Sequence, residues 1–358
     1  MRILVVTNLW PTQGRPGFGV FVAARVRALR ADGHEVTVIG PGSGPPWRRY
    51  LRLAGRVAKV MVAARGRRQV DIVEAHIAYP TGVLARPVAA AVRSPLVLFA
   101  HGSDVMSLPE RSRLDGFLAR GVLRRADLVV TNGPYLSAEL HGLIGAPRRL
   151  AEISPGIDLS LFAAGRGEPH VPLELLFVGH LVSHKGPATL LQALASRSAA
   201  HRFSVTFCGA GPQRGHLEDL ARQLRLAVTW RGEVPLAEVA ATMARADILV
   251  VPSIREALGL VALEGMAAGC VVVASRTGGL AVTVRDGENG LLAEPGDPAD
   301  LARVINRAVD LIEHRPEELR RLRAHARRTA EAHSAQAGAR ATVAHFERLL
   351  EGRSTVAL

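Results

Sequence analysis

The sequence predicts an α/β fold with two successive parallel sheets, each covered by helices on both faces. Three observations carry this. Short apolar, β-branched runs alternate with longer helical stretches, the alternation occurs in two series, and Ser154 to Pro172, rich in Gly, Pro and short polar or Ala residues, divides them as an interdomain connection. The first series of strands is expected at Ile3 to Thr7, Glu35 to Ile39, Ile72 to Ala75, Leu96 to Ala100 and Leu128 to Thr131, with a short Ala151 to Ile153 at its end. The second is expected at Leu173 to Val178, Ser204 to Cys208, Val228 to Trp230, Ile248 to Val251, Val271 to Ala274 and Gly290 to Ala293. A chain of 358 residues is long enough for two domains, each with its own core.

Gly and Pro mark the helix ends. One helix starts near Val20, behind a loop carrying Gly14, Gly17 and Gly19, and Pro187 stands in the first turn of another. Leu260 to Ala268 is expected to be helical and closed by Gly269, and residues 299–351 are helical, Arg-rich and partly amphipathic. Open α/β sheets bind ligands in the loops at the carboxyl ends of their strands, so a ligand is expected where the two domains face a common cleft.

Composition narrows the classes. The formal net charge is +13, carried almost wholly by arginine, since Lys59 and Lys185 are the two lysines. Between Trp47 and Gln69 stand Arg48, Arg49, Arg52, Arg56, Lys59, Arg65, Arg67 and Arg68 with no acidic residue, interleaved with Leu51, Leu53, Val57 and Val60. Such a helix suits an anionic membrane surface, and equally a solvated face of the first domain. Nucleic acid is not expected, because aromatic residues make up 4% of the chain and no nucleic-acid motif occurs. No apolar run approaches the roughly 18 to 20 residues of a membrane span, and Ile3 to Val6 is too short for a signal-peptide core, so a cytoplasmic protein is expected, peripheral on the membrane if the basic helix docks there. Cys208 and Cys270 have no metal-type spacing and read as small core residues. No Asp-x-Asp occurs, so neither a metal ion nor a cofactor is expected.

The most informative string runs from Pro252 to Gly269 and places Glu256 and Glu264 eight positions apart in otherwise nearly apolar sequence. Glu256 falls in the loop after a buried strand. Glu264 lies in a helix that is apolar all round, hence in a buried position, where a carboxylate is costly unless something hydrogen-bonds to it. A vicinal diol would do so. The second series opens with Val178-Gly179-His180-Leu181-Val182-Ser183-His184-Lys185-Gly186-Pro187, in which a lysine at a helix N-terminus opposes the macrodipole unless an anion sits there.

This string resembles the Glu-x7-Glu motif of glycosyltransferase family 4, the retaining, nucleotide-sugar-dependent transferases of GT-B fold. The resemblance covers essentially the whole chain and is most specific over residues 247–296. It implies two Rossmann-like domains facing a central cleft: residues 1–157 with 337–358 on the acceptor side, the last helix near Gln336 to Leu350 returning to the first domain, and residues 158–336 binding the donor. By the same resemblance Glu256 holds donor-sugar hydroxyls, Glu264 holds the ribose, Ala257 and Leu258 belong to the donor-binding segment, and the amides of Gly259 and Leu260 meet the diphosphate. Lys185 matches the lysine of the family's Gly-Arg-Leu-x3-Lys-Gly diphosphate site, with His180 where that site has Arg. Gly209 and Gly211 match a Gly-x-Gly-Pro, Gly17 and Gly19 a phosphate-side glycine loop, and His101 and Asp104 a His-Gly-x-Asp-like segment that puts His101 near the reacting sugar carbon and Asp104 on the acceptor side. Ser154 to Asp158 resembles the family hinge, with Pro155 in place of Asn.

Plainer roles stand beside these. The glycines can serve tight turns, His101 can be a satisfied structural residue, Asp104 can cap the segment after it, and Lys185 can point into solvent. The expected function is transfer of a sugar from a nucleotide-diphosphate donor to a hydroxyl of a glycolipid, polysaccharide precursor or small molecule. A GT-B sugar-nucleotide epimerase and a non-catalytic sugar-nucleotide-binding partner are the alternatives. A dinucleotide-dependent oxidoreductase would need a Gly-x-Gly-x-x-Gly after a strand, and Gly209 to Gly215 does not supply one.

Overall fold

The computed structural model describes residues 1–12, 17–40, 46–63, 70–110, 112–162, 171–195 and 203–354. They form two compact units, Met1–Gly156 with Ala335–Leu358, and Ile157–Ser334, against sequence boundaries of 157 and 337.

In the first unit the strands β1 (Arg2–Thr7), β2 (Glu35–Ile39), β3 (Ile72–His76), β4 (Leu96–Phe99), β5 (Leu128–Thr131) and β6 (Leu150–Glu152) form a parallel sheet in the order β2-β1-β3-β4-β5-β6. Its helices are α1 (Val20–Ala31), α2 (Pro46–Ala63), α3 (Val83–Ala91), α4 (Ser103–Met106), α5 (Arg113–Arg125) and α6 (Pro134–Ile144). In the second unit β7 (Leu173–Val178), β8 (Phe203–Cys208), β9 (Val228–Gly232), β10 (Ile248–Val251), β11 (Val271–Ser275) and β12 (Leu291–Ala293) form a parallel sheet in the order β12-β11-β10-β7-β8-β9. It carries α7 (Pro187–Leu194), α8 (Arg214–Gln223), α9 (Leu236–Arg245), α10 (Leu260–Ala268), α11 (Gly278–Thr283), α12 (Pro298–His314) and α13 (Pro316–Ala332), and the last helix, α14 (Ala335–Ser354), belongs to the first unit.

Strands covered on both faces are apolar on both, which is why β1, β4, β5, β10 and β11 read as continuous runs. Leu4 and Val6 enter one core of the first unit, while Ile3 and Val5 enter the other, where Ala339, Phe346 and Leu349 of α14 close the layer against α1. Each sheet reverses its strand order once, between β1 and β3 and between β7 and β10, and such a reversal opens a crevice at the carboxyl ends of the strands. Expectation and structure differ at the end of the chain, where the helical stretch 299–351 is broken twice. Pro316 cannot continue α12 and instead begins α13, and α13 stops at Ala332 before α14 begins.

The basic helix α2 also departs from a membrane-inserting design. Its apolar stripe is occupied, because Leu53 and Val57 are buried in the core of the first unit. Arg48, Leu51, Arg52, Arg56 and Lys59 lie on the exposed side, and Arg65, Arg67 and Arg68 lie outside the described residues, as does Gly14. Among the described residues no helix is long and apolar enough to cross a membrane. Cys208 and Cys270 are buried and form no disulfide among the described residues, with Cys270 Sγ 3.1 Å from the Met243 carbonyl oxygen.

Candidate functional site

The loops after β7 and β10, the two strands flanking the reversal in the second sheet, are joined backbone to backbone. Ile254 N–H donates to the His184 carbonyl (2.8 Å), and Gly186 has φ +69°, where a Cβ would stand 1.9 Å from the Pro252 carbonyl oxygen. Only a residue without a side chain permits that approach. The result brings Lys185 onto Glu256: Lys185 Nζ donates to Glu256 Oε2 with both side chains mostly covered, at 28% and 15% exposure. The lysine that opposes the α7 macrodipole is therefore compensated within the protein by Glu256, a partner the sequence did not reveal.

Glu256 is held on several sides. Ser253 Oγ lies 3.4 Å from Oε2, the Ala257 amide donates to Oε1 at 3.2 Å, and the Glu256 carbonyl accepts from Gly279 N–H at 2.9 Å. Gly279 itself allows no Cβ, which would fall 2.1 Å from the Ala257 carbonyl oxygen. Ala257 and Leu258 are buried, and Gly259 enters α10 at φ +83° with no side-chain cap. The Gly259 carbonyl accepts from Ala262 and Leu263 N–H (2.9 and 3.4 Å), so the Leu260 and Val261 amides are the ones in this turn without an acceptor among the described residues. In the neighbouring loop His180 is exposed, and burial followed by the charge of Lys185 pushes the His184 imidazole below its ordinary range.

Glu264 sits in the second turn of α10. It was expected in a buried position, and the structure makes it half-buried, with no hydrogen-bond or ion-pair partner among the described residues. Burial alone pushes its carboxyl up to about 8. Gly265 beside it is a packing glycine, since a Cβ there would stand 2.3 Å from Leu249 Cδ2.

Gly209 and Gly211 serve loop contacts. A Cβ on Gly209, at φ +147°, would lie 1.8 Å from the Gly179 carbonyl oxygen, and one on Gly211 would lie 2.4 Å from that of Leu181. Gly209 N–H donates to Gly232 O at 2.7 Å and Leu181 N–H to Ala210 O at 2.9 Å. In the first unit Gly17 is exposed, while Gly19, at φ +74°, starts α1 against the backbone of Leu9 and Trp10.

His101, directly after β4, ends a buried chain of polar groups. Arg25 of α1 donates Nε and Nη2 to Glu74 of β3 (2.8 and 3.1 Å), Glu74 Oε1 lies 2.8 Å from His76 Nε2, and His76 Nδ1 lies 2.8 Å from His101 Nε2. The strand register sets His76 opposite Thr7 on one side and Phe99 on the other. Asp104 is almost fully buried and accepts from the amides of His101, Gly102 and Ala78 (2.9, 3.1 and 3.2 Å), tying the β4 loop to the β3 loop. Burial raises its carboxyl against the pull of those amides.

Comparison with known proteins decides the family. Residues 17–161 match the family model described as Glycosyltransferase Family 4, and residues 163–329 match Glycosyl transferases group 1. The D-inositol 3-phosphate glycosyltransferase of Corynebacterium efficiens is 31% identical over 78% of this chain and 76% of its own length, and D-inositol 3-phosphate glycosyltransferase 1 of Catenulispora acidiphila is 34% identical over 72% and 68%. The chain belongs to glycosyltransferase family 4. Against other relatives the match is shorter; the chain spans about half the length of the Streptosporangium roseum D-inositol 3-phosphate glycosyltransferase, at 38% identity. Solved structures share the fold: sucrose-phosphate synthase from Thermosynechococcus elongatus (TM-score 0.79, 22% identity, 98% and 100% of the two chains) and Anabaena HepE in complex with UDP (TM-score 0.77, 20% identity, 97% and 100%). This is a GT-B glycosyltransferase.

For this glycosyltransferase the structure adds Arg25, Glu74, His76 and Thr342 to the residues worth testing. Two signals were present in the sequence. Glu74 interrupts an apolar run that reads as a central strand, and Arg25 lies at the spacing of Val22, Val26 and Leu29, on the buried face of α1. A basic residue on a core-facing helix and an acidic one in a core strand imply a buried pair.

Proposed function

We propose that this glycosyltransferase moves a sugar from a nucleoside-diphosphate donor to a hydroxyl acceptor, with retention at the anomeric carbon and without a metal ion. One observation carries the reading: Lys185 and Glu256 meet at the strand-order reversal of the second sheet, beside the uncapped N-terminus of α10, and an unpartnered carboxyl, Glu264, lies in the same helix. Lys185 and the first-turn amides near Gly259 and Leu260 supply positive potential for a departing diphosphate, stabilising charge that grows in the transition state. Glu256, reoriented from Lys185, accepts from donor-sugar hydroxyls, and Glu264 accepts from the ribose diol. His101, Gly17 and Gly19, in the first unit, are assigned to the donor on the family resemblance alone. HepE structures in complex with UDP and with UDP-glucose support the donor class.

The exposed side of α2 offers Arg48, Arg52 and Lys59 with Leu51 to an anionic membrane surface, and we place the acceptor there, on the cytoplasmic face. The test is a screen of UDP-, GDP- and dTDP-sugars with inositol phosphate and polyprenyl-linked acceptors, in excess chelator, with the product anomer read by NMR. Transfer that persists and keeps the donor configuration is expected. An inverted product, or activity lost to chelator and restored by magnesium or manganese, refutes the proposal.

A further inference from the structure

The buried chain behind His101 determines which of its ring nitrogens carries a proton. Glu74 is fully buried, and burial by itself would raise its carboxyl, but the Arg25 guanidinium and the His76 ring hold it down at about 2. The carboxylate is therefore ionised and can only accept hydrogen bonds. Its contact with His76 Nε2 requires a proton on that nitrogen. Arg25 already balances the charge of Glu74, so a cationic His76 would leave two buried cations sharing one carboxylate, an excess charge that the enclosure does not compensate. A neutral His76 protonated at Nε2 has a lone pair at Nδ1, and its 2.8 Å contact makes His101 Nε2 the donor. The remaining nitrogen of His101, Nδ1, is then unprotonated and has no partner among the described residues.

The rest of the surroundings fix the frame. Arg25 Nη1 donates to Thr342 Oγ1 (3.1 Å), which donates to the Gly338 carbonyl (2.8 Å), so α14 anchors the guanidinium. The His101 main chain is held by Asp104 and by Asn132 Nδ2 on its carbonyl oxygen (3.4 Å), and the ring lies between Phe21 and His76, with centroids 4.8 and 5.1 Å away. Burial pushes the His101 imidazole well below its ordinary range, which keeps it neutral. The charged and titratable groups facing it are Glu74 and His76 from β3, Arg25 from α1 and Asp104 from α4.

We propose that Arg25, Glu74 and His76 are positioning residues that hold His101 in the Nε2-protonated tautomer, so that Nδ1 presents a lone pair and selects a substrate hydroxyl over a phosphate or carbonyl oxygen. The proposal rests on the transferase reading above only in assigning that hydroxyl to a sugar substrate.

The test reads the tautomer directly in the ligand-free, full-length protein labelled with 15N-histidine, by long-range 1H–15N correlation, with His101→Asn used to assign the signals. A protonated Nε2 and an unprotonated Nδ1 are expected for His101. The opposite tautomer in the wild-type protein overturns the proposal without recourse to any variant. His76→Phe keeps a ring against Phe99 and leaves Glu74 paired with Arg25; in it the His101 signals should move toward an average of both tautomers. Its kcat/KM should fall about tenfold, the loss of one hydrogen bond, with nucleotide diphosphate affinity unchanged. A variant that keeps both the wild-type tautomer and wild-type turnover also overturns it. Should the wild-type protein show the expected tautomer and transfer no sugar from any donor, the tautomer assignment is supported and the assignment of substrate to this site is refuted.

Discussion

Replacing Glu264 by Gln should abolish a pH dependence of donor binding that the wild-type enzyme shows. In the free protein burial raises the Glu264 carboxyl to about 8, so at pH 7 only about a tenth of the molecules carry it ionised. A ribose diol donates hydrogen bonds and therefore favours the carboxylate, which means that binding takes up the ionised form and releases a proton below about pH 8. If only that form binds, affinity at pH 6 is roughly 50-fold weaker than at pH 8, from the change in ionised fraction alone. The same raised group works against folding as pH increases. Its stabilising protonated state is fully present below the ordinary carboxylate range and is lost as pH rises through about 8, by up to roughly 1.4 kcal/mol per pH unit across that window. The assay is calorimetric titration with a UDP-sugar, whose esterified diphosphate does not titrate between pH 6 and 8, in two buffers of different protonation enthalpy. Glu264→Gln should bind weakly and with a flat profile, about 1.5 to 3 kcal/mol below the wild type at pH 8. Because His180 and His184 lie in the neighbouring loop after β7, the difference between the two proteins is the quantity that counts. Equal proton release, or parallel pH profiles, in wild type and Glu264→Gln would show that Glu264 does not contact the ligand.

Glu256→Gln frees Lys185, so free nucleotide diphosphate should bind up to about fivefold more tightly, the worth of one partly covered ion pair, while turnover falls; a parallel loss of binding and turnover contradicts the pairing. Gly209→Ala places a Cβ 1.8 Å from a carbonyl oxygen in a left-handed backbone, and denaturant unfolding should show a loss above about 1 kcal/mol; an unchanged midpoint with weaker donor binding would move this glycine from packing to ligand contact. Sedimentation with anionic vesicles should be salt-sensitive, at about 1 kcal/mol per basic side chain near the surface, because the apolar stripe of α2 is already buried; binding that survives high salt, or is equal on neutral vesicles, refutes this electrostatic docking.

The strands were legible because parallel strands buried on both faces leave an unbroken apolar signature, and Gly and Pro punctuate the loops between them. Strand ends fell within a residue or two of expectation in both sheets. Glu256 and Glu264 were legible for the opposite reason, as carboxylates in apolar surroundings. What sequence could not give is pairing across distance. Lys185 was read as a cation awaiting an anion, yet 71 positions separate it from the carboxylate that meets it, and only the crossing of two loops at Gly186 and Pro252 makes the contact. Glu74 and Arg25 were passed over because each, read locally, is a minor exception in a strand or a helix. Together they are one buried ion pair, and the partner of each lies on a different element. An unexplained charge at a core position is therefore better treated as half of a contact, to be matched with other unexplained charges anywhere in the chain. Applied here, that rule joins Arg25 to Glu74 and Glu74 to His76, and leaves Glu264 as the carboxylate for which the described residues supply no match. For the matched charges the protein provides the counterpart; for Glu264 the proposed counterpart is the ribose of the donor, and the pH dependence of donor binding is what tests it.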